Sequence, residues 1–212
     1  MKTAVITGAS KGLGLAIANE FVSKGWKVIG TGRSARPHEL NSAVDYYQFD
    51  ASDIINAETF WQDIQKQHSE AEFCLVNNAG GYASGGLLTT KPEDFEKQMK
   101  INYFTTVYMT RGLAKVIPKA KIINIISANA LSPGSTDEAY GASKAATKQF
   151  FQSLQKEFKS SQYQITNLYP NNIATSGPNP AAIDPSDLAI FVRELADSQK
   201  SYYLRDVTLY NS

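Results

Sequence analysis

The sequence holds one cysteine, Cys74, and only two histidines among its 212 residues. A lone thiol excludes an intramolecular disulfide and any cysteine-rich zinc site. It stands in the apolar run Phe73-Cys74-Leu75-Val76, where a cysteine serves as a small core residue. His38 and His68 lack further His or Cys partners and are read as surface residues rather than as metal ligands or members of a Ser-His pair. An excess of charge is missing too. Lys+Arg number 21 against 20 Asp+Glu, a net charge of +1, and no basic stripe marks a nucleic-acid footprint. No stretch approaches the roughly 18 consecutive apolar residues that cross a bilayer. The opening Met1-Lys2-Thr3-Ala4-Val5-Ile6-Thr7-Gly8 lacks the apolar core of a secretory signal. The expectation is a cytoplasmic protein with neither a nucleic-acid nor a membrane partner.

What is present is a large apolar complement: 42% hydrophobic residues, with 10 Phe, 11 Tyr and 2 Trp that need a core. The length suits one domain spanning residues 1–212. Short Val/Ile-rich runs alternate with helical patterns throughout. Ala4–Thr7, Val28–Thr31, Tyr46–Phe49, Phe73–Val76, Ile122–Ile126, Ile165–Leu168 and Val207–Tyr210 read as strands. Leu13, Ala16, Ile17 and Phe21 recur at helical spacing, as do Phe60, Trp61 and Ile64. Pro92 opens a long helical pattern running towards Pro118, Tyr140 to Phe158 gives another, and Asp184-Pro185-Ser186 caps a last one. Alternating βα units predict a doubly wound α/β fold, with a mostly parallel seven-stranded sheet and helices on both faces. No linker or repeat divides the chain.

The first βα turn reads Thr7-Gly8-Ala9-Ser10-Lys11-Gly12-Leu13-Gly14. Glycines at 8, 12 and 14 let the backbone approach a pyrophosphate that the following helix N-terminus attracts. No Gly-Lys-Ser/Thr follows, which disfavours a phosphate-loop NTPase. Thr-Gly-x-x-x-Gly-x-Gly at this place resembles the short-chain dehydrogenase/reductase family, whose members bind NAD(P) on a Rossmann sheet. Four further segments are similar to that family in order: Asp50 after the third strand, Asn77-Asn78-Ala79-Gly80 after the fourth, Asn102 with Ser127, and Tyr140-x-x-x-Lys144. The matches extend from residue 3 to about 175.

The resemblance implies a cofactor half over about residues 1–120 and a catalytic and substrate half over about 121–212. It implies a Tyr140, Lys144, Ser127, Asn102 tetrad, and a cofactor site lined by Gly8, Ser10, Lys11, Gly12, Leu13, Gly14, Asp50, Asn78, Ala79 and Gly80, with Tyr140 and Lys144. Tyr140 suits general acid work in reduction and base work in oxidation. A phenol titrates near pH ~10, so a cation is needed to favour its phenolate, and Lys144 lies one helical turn on, on the same face. Ser127 ends the fifth strand, where its hydroxyl can bond an oxygen gaining negative charge. By resemblance Lys144 also holds the nicotinamide ribose, and Asn102 holds a water leading to solvent.

NAD enzymes of this kind place an acid at the end of the second strand. Here Ile29-Gly30-Thr31-Gly32-Arg33 puts Gly32 there. Arg33 follows, and Lys11 lies in the glycine loop, two cations suited to a 2′-phosphate. NADP(H) is the expected cofactor. After the sixth strand the family has Pro-Gly, whereas this chain has Pro170-Asn171. Asn tolerates a positive φ, which would preserve the turn, leaving Pro170, Ile173 and Thr175 as expected nicotinamide contacts. Ser176-Gly177-Pro178-Asn179-Pro180 is too short for a helical lid and implies an open pocket. The sequence thus predicts an NADP(H)-dependent oxidoreductase that interconverts a small-molecule carbonyl and a secondary alcohol, working as a reductase. The family resemblance implies a homodimer or homotetramer. The alternative is a non-catalytic NADP(H)-sensing or scaffold protein of the same fold.

Overall fold

The computed structural model describes every residue except Glu70, Ser176, Pro178 and Ser212. Seven strands, β1 (Lys2–Thr7), β2 (Lys27–Gly32), β3 (Asp45–Gln48), β4 (Glu72–Asn77), β5 (Ala120–Ile125), β6 (Tyr163–Pro170) and β7 (Asp206–Leu209), form one sheet. Their order is β3-β2-β1-β4-β5-β6-β7. Every neighbouring pair is parallel, so the sheet is wholly rather than mostly parallel. Strand order reverses between β1 and β4, and a crevice at the carboxyl ends of such strands is where open α/β sheets take ligands.

The apolar runs follow from two-sided burial. Ala4 and Ile6 of β1 pack with Leu13, Ile17 and Phe21 of α1 (Gly12–Ser23) and with Leu188 and Val192 of α6 (Pro185–Asp197). Val5, between them, points to the other face. There it joins Trp61 of α2 (Ile54–Gln67), Met109 and Leu113 of α4 (Thr105–Val116), and Phe151 of α5 (Glu138–Glu157). A strand covered by helices on both faces has no solvent side to mark with polar residues.

One row across the sheet is polar. Asn77, Asn124, Asn167 and Asp206 are register partners on β4 to β7. Asn77 donates through Nδ2 to Asn124 Oδ1 at 2.9 Å, Asn124 donates to Asn167 Oδ1 at 2.9 Å, and Asn167 donates to Asp206 Oδ1 at 3.2 Å. All three asparagines are buried. A one-residue slip in any of these strands would strand a buried amide, so the row favours a single register.

The long helical pattern that opens at Pro92 is not one α-helix. α3 (Pro92–Gln98) leads into a π-helical turn, Met99–Phe104, before α4 begins. Apolar spacing reads straight through such a turn because the helical face resumes beyond it. π-turns occur often at functional positions, and this one carries Asn102.

Candidate active site

The loop from β1 to α1 is built so that backbone can approach backbone. Gly8 has φ +69°, and a Cβ there would lie 2.9 Å from Ala79 Cα. A Cβ on Gly14 would overlap the Gly8 carbonyl oxygen and the Asn78 side-chain amide. The loop is pinned from β4: Asn78 donates through Nδ2 to the carbonyls of Thr7 (3.0 Å) and Gly8 (3.3 Å). The Asn78 and Ala79 N–H groups both donate to Thr7 Oγ1, at 3.0 and 2.9 Å. Those two donors are therefore consumed by the fold. Asn78 clamps the loop, and Thr7 is a site-forming residue that sequence reasoning passed over, although it opens the Thr-Gly motif.

α1 starts without a side-chain cap at Lys11, so the first-turn donors are not closed by a side chain. Leu13 turns its side chain into the core and can offer only backbone to a ligand. Ser10 and Gly12 flank Lys11, and a Cβ on Gly12 would stand 3.4 Å from Thr175 Cγ2, which brings the turn after β6 against this loop. A cradle of this shape with an uncapped helix end fits the pyrophosphate of a dinucleotide.

Arg33, just past the end of β2, and Lys11, in the glycine loop, are exposed, and neither has an ion-pair partner among the described residues. Asp50 accepts from the Ser52 N–H (3.0 Å) and hydroxyl (2.6 Å). Burial works to raise its pKa, but those bonds, with Lys100 and Arg33 nearby, hold the carboxyl below its usual range.

The other half of the site forms where β5 ends. Ser127 is buried and begins a short 3-10 turn, Ala128–Ala130, where its Oγ accepts from the Asn129 N–H at 3.2 Å. Tyr140 and Lys144 lie one turn apart on α5. Lys144 is buried, donates through Nζ to the Ile125 carbonyl at 3.3 Å, and lies 5.7 Å from the Tyr140 ring centroid. Burial pushes its ammonium down to about 8. Tyr140 moves opposite to the direction expected from its pairing with Lys144. Burial raises the phenol, a hydrogen bond with Ser127 works against this, and Asp137 and Tyr82 push it further up. Tyr140 therefore keeps its proton at neutral pH.

Asn102 is buried, not solvated as a polar helix residue usually is. Its Nδ2 donates to Gly81 O (2.9 Å), Gln98 Oε1 (2.9 Å) and Ser143 Oγ (3.1 Å), and its Oδ1 accepts from the Gly81 N–H at 2.9 Å. A Cβ on Gly80 would stand 2.7 Å from Asn102 Oδ1 and 3.5 Å from Lys144 Nζ. Asn102 thus fixes the strand-end backbone that passes beside Lys144. Its backbone carbonyl accepts from the Thr106 and Thr147 hydroxyls.

The mouth has a wall the sequence did not suggest. The Tyr82 ring meets that of Tyr140 edge to face, centroids 5.1 Å apart, and its hydroxyl donates to Asp137 Oδ1 at 2.7 Å. Asn129 donates to Asp137 Oδ2 at 3.1 Å. Leu87 and Leu88 on the same loop are exposed.

On the far side Pro170 ends β6, and the Asn171 N–H donates to the Leu209 carbonyl at 2.9 Å. Asn171 is not among the residues with positive φ, so the turn forms without the left-handed residue the family glycine suggested. Ile173 is half-buried and bridges to Ile183, closing the segment. Ser176 and Pro178, on which the expectation of an open pocket partly rested, lie outside the described residues.

Known proteins similar to this chain show its family. The short chain dehydrogenase family model matches residues 2–182. The chain is 32% identical over 190 residues to the NADP-dependent (R)-specific alcohol dehydrogenase of Lentilactobacillus kefiri, covering 82% of this chain and 74% of that protein. It is 31% identical over 183 residues to serine 3-dehydrogenase of Agrobacterium fabrum, covering 82% and 72%. Among solved structures, a metagenomic short-chain oxidoreductase in complex with NADP superimposes with a TM-score of 0.85 at 27% identity, covering 100% of this chain and 97% of that one. An alcohol dehydrogenase from the archaeon Thermococcus sibiricus, complexed with 5-hydroxy-NADP, gives 0.89 at 22% identity with the same coverage, a likeness of fold alone. The chain belongs to the short-chain dehydrogenase/reductase family, oxidoreductases that use a nicotinamide cofactor.

Proposed function

We propose that the protein is an NADP(H)-dependent reductase that converts a small-molecule carbonyl compound to a secondary alcohol. The observation that carries this is the meeting of Tyr140, Ser127 and Lys144 at the end of β5, beside a glycine cradle that leaves no room for a side chain at Gly8 or Gly14. When bound, the nicotinamide supplies a hydride to the carbonyl carbon. Tyr140 gives its hydroxyl proton to the oxygen that becomes the alcohol, and its raised pKa keeps that proton available at neutral pH. Ser127 holds the same oxygen as charge builds there. Lys144 would bond the nicotinamide ribose and stand near enough to Tyr140 to assist reprotonation. Asn102 fixes the backbone around Lys144. Ile173 and Thr175 would meet the carboxamide.

For the cofactor we favour NADP(H), on the strength of Lys11 and Arg33 and the missing acid at position 32. A charge-assisted bond contributes about 1.5–3 kcal/mol, enough for a tenfold to hundredfold preference. The proposal includes a single domain over residues 1–212, a cytoplasmic setting and a homodimer or homotetramer. Among the described residues no helix is long and apolar enough to cross a membrane. For the oligomer, support comes from the partly exposed Phe104, stacked on Tyr108 of α4 and close to Tyr103. Light scattering that gives a monomer mass refutes that part.

The test is consumption of NADPH over a panel of ketones and aldehydes, with NADH run in parallel. Turnover on one chemical class, faster at low cofactor concentration with NADPH, is expected. Tight binding of NADPH with turnover on nothing would instead support the sensing alternative.

A further inference from the structure

The face of β2 that looks towards the glycine loop has been cleared of side chains, and one residue fills the clearing. Tyr46 is the register partner of Gly30. Its ring lies over β2, so that a Cβ on Gly30 would come 3.3 Å from Tyr46 Cδ2. Its hydroxyl reaches past Gly32 and donates to the Ser34 carbonyl at 2.9 Å. A Cβ on Gly32 would overlap that hydroxyl and would stand 3.5 Å from Ser10 Oγ. The ring is partly buried against the α1 side of the core, beside Val44 and Ala9. Its hydroxyl is held over Gly32 by the bond to the Ser34 carbonyl.

Position 32 is where a carboxylate would have to rise to meet an adenosine ribose. The space above it holds a phenol hydroxyl, with the Ser10 hydroxyl next to it and Arg33 and Lys11 at the rim. We propose that Tyr46 is a cofactor-selecting residue: its hydroxyl excludes any side chain at position 32, so this site cannot acquire an NAD-type carboxylate while the tyrosine is present. The proposal rests on the NADP(H) reading of the site, and it goes further by assigning selectivity to a residue on β3 rather than to the two cations. It also gives position 32 a steric reason to be glycine, separate from any need for a particular backbone conformation.

The experiment is fluorescence titration of NADPH and NADH against four proteins: the natural chain, Tyr46→Phe, Gly32→Asp, and the double variant. The natural chain is expected to favour NADPH at least about tenfold. Gly32→Asp alone should lose that preference through repulsion of the 2′-phosphate, yet gain less than about threefold for NADH, because the carboxylate has no room. Removing the hydroxyl in the double variant should raise NADH affinity about tenfold over Gly32→Asp. An equal NADH gain with and without the hydroxyl overturns the proposal. Thermal melting of Gly32→Ala, without cofactor, tests the exclusion alone. The added methyl should lower Tm by about 3–8 °C in the natural background and by less than half of that alongside Tyr46→Phe. Equal losses in both backgrounds also overturn it. If the natural chain binds NADPH no better than NADH, the cofactor reading fails, while the melting comparison still decides whether Tyr46 guards position 32.

Discussion

Several helices start at the carboxyl edge of the sheet, and they treat their free N–H groups in opposite ways. α2 and α6 are closed by aspartate: Asp53 accepts from the Ile55 and Asn56 N–H groups, and Asp184 accepts from Ser186. α1 has no such cap and begins among glycines. At the start of α5, Asp137 sits where a cap would, yet its carboxylate makes no cap bond and instead accepts from Tyr82 and Asn129. The same contrast holds inside. The three amides of the Asn77–Asn124–Asn167 row each donate to the next strand, whereas among the described residues the buried ammonium of Lys144 has one hydrogen-bond acceptor, the Ile125 carbonyl. Where the fold consumes its polar groups the region is structural. Where it leaves a donor waiting, a ligand can complete it.

Lys144→Met breaks this contrast most sharply. Turnover should fall by more than about a hundredfold, while the cofactor-free protein becomes more stable at pH 7 by about 1–3 kcal/mol, because a charge is no longer held in a buried site. The sign follows from proton counts. The folded value of about 8 lies below the ordinary lysine value of about 10.4, so the unfolded chain binds more protons between those limits. Stability of the natural chain should rise across that window, and the Met variant should lose this rise, as read by denaturant melts at several pH values.

Gly14→Ala attacks the open helix end. Its methyl meets the Gly8 carbonyl and the Asn78 amide, so NADPH affinity should drop about tenfold to hundredfold in a titration. Asp184→Ala attacks a closed end and should do the reverse: a loss of about 1 kcal/mol, or about 2–4 °C in Tm, with NADPH affinity unchanged. The smallest effect is expected from Tyr82→Phe, which frees Asp137 from one partner at a half-open mouth. KM for the carbonyl substrate should rise about two- to fivefold with little change in kcat.

Much of this was legible in the residues. The five central strands show as Val/Ile runs because both of their faces are buried. Each strand nevertheless begins one or two residues before its apolar run, at Lys2, Lys27, Asp45, Glu72, Ala120, Tyr163 and Asp206, because backbone pairing extends past the residues whose side chains reveal burial. Tyr140, Lys144, Ser127 and the glycines were visible because their spacing along the chain repeats a family pattern. The π-turn at Asn102 was not visible, since it leaves the apolar periodicity on either side intact. The Tyr82–Asp137 wall and the Tyr46–Gly32 contact were equally hidden. They join residues 55 and 14 positions apart, and nothing in local sequence announces a contact between two loops or two neighbouring strands.

The role of Tyr140 as proton donor is tested most directly by Tyr140→Phe, assayed for NADPH binding by fluorescence and for carbonyl turnover in the same sample. Binding should stay within about threefold of the natural chain while turnover falls by about 10²–10⁴-fold. Turnover that survives the loss of the hydroxyl would contradict that role.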